Sequence, residues 1–532
     1  MNKSKAGPEP RWPNIPAMVE DAAERWPDVP AVIGEPTLTF GQLLSAVRKF
    51  SASLVSAGIA QGDRVAIWAP NSSEWIIAAL GTFGAGAVLV PVNTRYRGRE
   101  AATILRSSGA RALVTAGNFL STDYVAMLRQ SGIDLPHLTT IVTVDDDNPA
   151  AAKGWAKFLA SSDTSAADEV ARRRARLRAD DMSTLLFTSG TTGDPKGVVG
   201  LHGRDIACAV DWIGMTGLHA GDRYIMINPY FHLFGLQAGI LTSIAAGATM
   251  IPQQVFDVER ALDIVQREQV TVFPGAPTIF SSILDHPRFA DYDLSTLRVA
   301  VTGAADIPVE LIRRLNDELP NFRIVSAYGM TETGTACTTL LDDELEHIAS
   351  TVGVPRPGFE IRVVDGKGKD VPAGEAGEIL LRSPTVMPRY YDDPQATKAT
   401  ISDDGWLRTG DAGKFDDTGR LRIVGRIKDM FIVGGFNAYP AEIENVLLRH
   451  PDIQDAAVIG VPDHRLGEVG MAFVVLHPAA ALSEAEVIAW SRAQMANFKV
   501  PRVVRFVNDL PRTATGKIQK HVLKSTATQS VS

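Results

Sequence analysis

An apolar run, Leu185-Leu186-Phe187, passes directly into Thr188-Ser189-Gly190-Thr191-Thr192-Gly193-Asp194-Pro195-Lys196-Gly197. This junction limits what the chain can fold into more than any other stretch. The run reads as a buried strand, so the ten residues form a tight loop leaving the end of a sheet. Three glycines let successive backbone N–H groups converge on one anion, and Lys196 adds a point charge. The hydroxyls of Thr188, Ser189, Thr191 and Thr192 add donors, so the loop suits a polyphosphate. It is not the nucleoside-triphosphatase loop G-x-x-x-x-G-K-[ST], because Pro195 precedes Lys196 and Gly197 follows it. A flexible Ser/Thr/Gly linker would explain neither the strand before it nor the Pro-Lys-Gly end.

Around this loop, helical patterns alternate with short apolar strands. Leu43, Val47, Phe50 and Leu54 fall on one helix face, and strands are expected at Asp63–Trp68, Ala112–Thr115 and Thr140–Thr143. This βα order predicts a largely parallel sheet covered on both faces. Two stretches resemble each other, one ending Gly84-Ala85-Gly86-Ala87-Val88-Leu89-Val90-Pro91 and one ending Ala245-Ala246-Gly247-Ala248-Thr249-Met250-Ile251-Pro252. They predict two similar βα subdomains side by side, with ligand at the carboxyl ends of the strands. Val270-Thr271-Val272-Phe273 reads as a further strand running into the breaker Pro274-Gly275-Ala276-Pro277. Beyond residue 440 the pattern is a compact α+β unit, with strands near Ala456–Val461, Met471–Leu476 and Val503–Val507 and a helix over Ser483–Met495.

At 532 residues the chain exceeds what one hydrophobic core normally fills, so at least two domains are expected. With 45% apolar and 21% charged residues it is an ordinary globular protein, and a net charge of −8 argues against a general nucleic-acid binder. The basic run Ala171–Arg176 reads as a solvated helix face. Cys208 and Cys337 form no metal-ligand pattern and suit a reducing, cytoplasmic location. Trp75–Val92 is 18 residues without charge, but Gly81, Gly84 and Gly86 break it into helix, turn and strand, so no transmembrane segment is expected.

Several short motifs follow in order. Asn228-Pro229-Tyr230-Phe231-His232-Leu233-Phe234-Gly235 puts one histidine among aromatics at a helix start. Val301-Thr302-Gly303-Ala304-Ala305 ends a strand in small residues, against which a flat ring can lie. In Tyr328-Gly329-Met330-Thr331-Glu332, Tyr328 can stack on a base, Thr331 can donate to phosphate and Glu332 can hold Mg2+. Trp406-Leu407-Arg408-Thr409-Gly410-Asp411 sets a carboxylate on a turn. Gly425-Arg426-Ile427-Lys428-Asp429, a glycine loop at Gly434-Gly435, and Pro511-Arg512-Thr513-Ala514-Thr515-Gly516-Lys517 complete the series.

Read together, these motifs resemble the adenylate-forming superfamily of acyl-CoA synthetases, luciferases and peptide-synthetase adenylation domains. The resemblance implies an α/β fold, with a large amino-terminal domain of two similar βα subdomains plus a smaller β subdomain (1–426). A small mobile α+β carboxy-terminal domain (427–532) follows. It implies ATP, Mg2+ and CoA as cofactor and co-substrates, and a carboxylic acid as the small-molecule partner. Lys517, Glu332 and His232 would be catalytic, and Thr188 and Glu332 would hold the metal. The nucleotide and phosphates would be bound by Thr188, Ser189, Gly190, Thr191, Thr192, Gly193, Lys196, Gly303, Ala304, Ala305, Tyr328, Gly329, Thr331, Asp411 and Arg426. Lys428 would be the interdomain pivot, and Gly434 and Gly435 would line the pantetheine tunnel. Lys517 would serve only adenylation, so the small domain would close in two poses.

Within the superfamily the chain is most similar to synthetases acting on propanoate side chains of steroid-ring fragments. It departs from them at Leu233, Leu236 and Gln237, where that group has Asn and Tyr-Lys. Those positions are expected to touch the acyl pocket, which keeps a medium-chain, alicyclic or aromatic acid as an alternative. A stand-alone adenylase loading a carrier protein is another, and a homodimer is left open by the sequence.

Overall fold

A computed structural model describes residues 11–145, 153–188, 195–303, 309–433, 436–478, 480–513 and 517–529. The first sheet has seven strands, in spatial order Lys196–Leu201, Met182–Thr188, Val88–Pro91, Arg64–Trp68, Ala112–Thr115, Thr140–Thr143 and Lys153–Gly154. All pair in parallel except Lys196–Leu201, which runs back along Met182–Thr188. The phosphate loop of the sequence is therefore the connection of a β-hairpin at the sheet edge, and its residues 189–194 lie outside the described residues.

Strand alternation sorts the side chains into two cores. Val65 and Ile67 face the helices Phe40–Ser56 and Ser73–Gly84, whereas Ala66 and Trp68 face the helices Gly98–Ser108 and Tyr124–Arg129. Leu43, Val47, Phe50 and Leu54 are all buried on the face their spacing predicts. Phe50 stacks on Trp155 and meets Phe158 edge-on. Burying such a ring contributes about 1.5–3 kcal/mol. Thr39 and Gln42 close a capping box at the start of that helix.

The second sheet is built from two four-stranded sets, Leu38–Thr39, Pro30–Val32, Thr249–Pro252, Arg223–Met226 and Val299–Gly303, Arg323–Met330, Gly334–Thr338, Val354–Pro355. The expected strand at Val270–Phe273 is reduced to a bridge: Val272 pairs with both Tyr224 and Val299 and so joins the sets. Pro274 is the reason it ends there, since proline has no N–H to continue a ladder. One hydrophobic core runs between the two sheets, taking Leu89 and Val114 from the first, Met250 and Val301 from the second, and Ile206 and Ala209 of the helix His202–Thr216. The two similar stretches sit in equivalent places, Val88–Pro91 inside one sheet and Thr249–Pro252 inside the other.

An antiparallel sheet of Glu360–Val364, Gly377–Arg382, Leu407–Phe415 and Leu421–Arg426 forms the smaller β unit. After the short turn Ile427–Asp429, the last sheet pairs Phe436–Ala438, Phe431–Val433, Gly467–Leu476 and Ile453–Asp463, with Val503–Phe506 parallel to Gly467–Leu476. The Ala171–Arg176 run is not simply a solvated face. Arg173 reaches the carbonyls of Ile59 and Ala85, and Arg174 pairs with Glu20. The uncharged stretch from Trp75 resolves into a helix ending at Gly84 and a buried strand from Val88, and no helix among the described residues is long and apolar enough to cross a membrane.

Candidate active site

The hairpin edge supplies the first two groups. Thr188 ends one strand and Lys196 begins the next, with Thr188 Oγ1 donating to the Lys196 carbonyl at 3.4 Å. Segment 385–391 sews this edge to the turn after Arg323–Met330. The Tyr391 N–H donates to Gly197 (2.7 Å), the Met387 N–H donates to the Glu332 carbonyl (2.6 Å), and the Tyr390 hydroxyl donates to Glu332 Oε1 (2.8 Å). Arg204 ties the same two segments from below, giving Nη2 to the Thr331 carbonyl and Nε to the Thr385 carbonyl, both at 2.7 Å. Glu332, although only 7% exposed, is thus a fixed carboxylate.

Asp411 anchors a second cluster. It accepts from the Tyr328 hydroxyl at 2.7 Å and pairs with Arg426 Nε at 2.8 Å. The sequence placed it on a turn, but it lies within the strand Leu407–Phe415, where pairing with Gly377–Arg382 shifts register between Arg408 and Ala412, next to Gly410, whose φ of 68° only glycine adopts without strain. The irregularity turns the carboxylate toward Tyr328. Burial and the Asp411 charge push the Tyr328 hydroxyl well above its ordinary pKa, so it stays a donor. Gly303 and Gly329 are needed for close approach within the sheet: a Cβ on Gly303 would meet the Ala327 carbonyl at 2.7 Å, and one on Gly329 the Gly334 carbonyl at 2.2 Å.

His232 caps the short helix that follows it, its Nδ1 accepting the Phe234 N–H at 3.2 Å. Burial, with the nearby Lys517 ammonium, pushes its pKa down to about 4. The ring lines a cavity of about 660 Å3, with Asn228, Phe231, Phe234, Ile279 and Gly303 around it and Tyr96, Leu120 and Tyr124 farther out. That volume is typical of small-molecule sites, roughly 300–1,000 Å3. Leu233, Leu236 and Gln237 do not line it. Leu236 packs in the core between the sheets, and Gln237 donates to the buried Asp205 at 2.5 Å. The departures at these positions therefore do not alter the cavity wall directly.

The carboxy-terminal loop reaches over the same cavity through Arg512 and Thr513. Lys517 is held by its backbone N–H on Thr513 Oγ1 (3.1 Å) and its carbonyl on the Thr513 N–H (2.8 Å). Loss of hydration, reinforced by Arg426 and Lys428, lowers its pKa, against the pull of Asp411 and Glu332. Among the described residues, the structure thus brings Thr188, Lys196, His232, Gly303, Tyr328, Thr331, Glu332, Asp411, Arg426 and Lys517 around one cleft. Ser189, Gly190, Thr191, Thr192, Gly193, Ala304, Ala305, Gly434 and Gly435 lie outside the described residues. Sequence reasoning missed Arg204 and Tyr390, whose partners are 127 and 58 positions away and carry no local motif.

Among the described residues no cluster of three His, Cys, Asp or Glu side chains could cage a metal. A single fixed carboxylate, Glu332, tied through Tyr390 to the hairpin edge at Lys196, instead fits Mg2+, which binds through one or two carboxylates, water and substrate phosphates. A neutral histidine, a lysine and a fixed carboxylate this close in the fold suit chemistry between a carboxylic acid and a phosphate.

Comparison with known proteins agrees. The AMP-binding enzyme family model matches residues 19–391, and the AMP-binding enzyme C-terminal domain model matches 442–517. The chain is 48% identical over 497 residues to the 3-[(3aS,4S,7aS)-7a-methyl-1,5-dioxo-octahydro-1H-inden-4-yl]propanoyl:CoA ligase of Rhodococcus jostii, covering 92% of this chain and 94% of that protein. It is 34% identical to the mitochondrial medium-chain acyl-CoA ligase of Bos taurus, covering 92% and 82%. The crystal structure of the anthranilate CoA ligase AuaEII with anthranoyl-AMP superposes with a TM-score of 0.89 at 28% identity, covering all of both chains. The chain belongs to the AMP-binding enzyme family, as an acid–thiol ligase that uses ATP, Mg2+ and CoA.

Proposed function

We propose that this ligase acts on a propanoate carried by a steroid-derived ring system, or on a related alicyclic acid, giving acyl-CoA, AMP and pyrophosphate through an acyl-adenylate. The observation that carries the reading is the convergence of Lys517 on His232, Glu332 and Asp411. The substrate class rests on the 48% identical relative and on a cavity walled by Phe231, Phe234, Phe256 and Ile279.

In this reading the His232 Nε2–H orients the substrate carboxylate, one oxygen of which attacks the α-phosphorus of ATP while the bond to pyrophosphate breaks. Lys517 takes up the charge gathering on the α-phosphate oxygens, and Lys196, Thr188 and the loop residues Ser189 to Gly193 hold the β- and γ-phosphates. Gly303, Ala304, Ala305, Tyr328 and Gly329 seat the adenine, and Asp411 and Arg426 hold the ribose. Glu332 and Thr188 would hold Mg2+, which would supply positive charge against the phosphates. The thiolate of CoA then attacks the carbonyl carbon of the mixed anhydride and AMP leaves, with no protein nucleophile. For this second step residues 427–532 turn about Lys428 as a body distinct from 1–426, bringing Gly434 and Gly435 to the thiol in place of Lys517.

The same reading places the enzyme in the cytoplasm, where the free thiols of Cys208 and Cys337 persist, and admits a homodimer, which light scattering tests. The direct experiment is product analysis over a panel of acids, with and without CoA. Preference for a ring-borne propanoate with CoA-dependent thioester formation supports the proposal. Preference for a straight medium-chain or a benzoic acid overturns the substrate class, and turnover that needs an added carrier protein in place of CoA overturns the second step.

A further inference from the structure

Tyr390 stands between two oppositely charged side chains and touches both. Its hydroxyl donates to Glu332 Oε1 at 2.8 Å, and the Lys196 ammonium lies 5.3 Å from its ring centroid. The ring is only 6% exposed and its backbone is fixed twice, by a bridge to Val198 and by the Tyr390 N–H donating to Thr397 Oγ1 at 3.0 Å. The backbones of both neighbours are also fixed, Glu332 through its carbonyl by Met387 and Lys196 in the hairpin ladder.

A lysine and a glutamate that share one tyrosine are opposite charges able to pair and cancel. Among the described residues no ion pair joins Lys196 to Glu332, and Glu332 Oε2 makes no hydrogen bond. An ammonium sits well on the electron-rich face of a tyrosine, whereas a carboxylate needs the hydroxyl at its edge. One ring therefore presents a cation and an anion side by side without letting them neutralise each other. That pattern matches a ligand carrying both charges, a polyphosphate with its divalent cation.

We propose that Tyr390 is a positioning residue for Mg·ATP: its ring keeps Lys196 apart from Glu332, and its hydroxyl fixes the carboxylate that takes the metal. This rests on the assignment of Lys196 to phosphate and Glu332 to Mg2+ made above. Fixing a metal-bound carboxylate through its second oxygen governs metal affinity, and losing such a partner typically weakens it about 10- to 100-fold.

The test uses the full chain and calorimetric binding of α,β-methylene-ATP across Mg2+ concentrations, with the melting temperature recorded for every variant. Tyr390→Phe keeps the ring and removes the hydroxyl. It is expected to raise the Mg2+ half-saturation point by about 10-fold while leaving nucleotide affinity at saturating Mg2+ near wild type. Tyr390→Leu removes the ring as well, and is expected to weaken nucleotide binding even at saturating Mg2+. Should the leucine variant fail to fold, the nearly isosteric phenylalanine variant decides alone. A wild-type Mg2+ dependence in Tyr390→Phe, with a shifted one in Glu332→Gln, overturns the role of Tyr390 and leaves the metal assignment standing. If Glu332→Gln and Lys196→Ala both bind Mg2+ and nucleotide as wild type does, the underlying assignment fails, and the proposal with it.

Discussion

His232 turns its Nδ1 onto the backbone N–H of Phe234, 3.2 Å away, which leaves the ring proton on Nε2. With its pKa near 4 the ring is neutral at physiological pH. It can therefore donate one hydrogen bond to a carboxylate without forming an ion pair that would hold the carboxylate back from attack. His232→Ala is expected to raise KM for the acid by about 10- to 100-fold, the worth of one hydrogen bond to a charged group. The pH profile of acid KM should show no imidazole step near pH 6.5. Steady-state kinetics from pH 5.5 to 8.5 checks both, and a step near 6.5 that disappears in the variant would show a protonated ring instead.

Stability should fall in acid because of two histidines. His202 is fully buried, its Nδ1 accepting the Ile15 N–H, and burial pushes its pKa down to about 4, as it does for His232. The unfolded chain takes up these protons near pH 6.5 and the folded chain only near 4. The stabilising contribution is therefore complete above about pH 6.5 and is lost as pH falls through 4. For His202 alone the loss at pH 5 is about 2 kcal/mol. Urea midpoints at pH 7.5 and 5 measure it, and His202→Asn, which keeps an acceptor for Ile15, should flatten the drop. An unchanged drop in that variant would remove His202 as a cause.

The parts of the fold legible in the sequence are those with a local signal. Leu185–Phe187 could be read as a strand from its apolar run, and the matching ends at Val88–Pro91 and Thr249–Pro252 announced two related sheets. Asp411 could be picked out but not placed, because the register shift that turns it toward Tyr328 depends on pairing with two other strands. Gln237 was expected at the acyl pocket because the chain departs there from the group it resembles. The π-helical turn at Leu236–Leu241 carries it inward to Asp205, and helix pitch is a property of the folded neighbourhood. Arg204 and Tyr390 act on loops far away in the chain, and nothing near them in sequence marks the contact.

The central claim is that Lys517 drives adenylation and has no part in thioester formation. Measuring the two half-reactions separately in Lys517→Ala tests it most directly, with acid-dependent pyrophosphate exchange into ATP for the first and CoA capture of pre-formed acyl-AMP for the second. The expected result is a loss of about 10²- to 10³-fold in exchange, the size of effect seen on removing one donor to a developing oxyanion, with capture unaffected. Equal losses in both half-reactions, or exchange at the wild-type rate, would contradict the account.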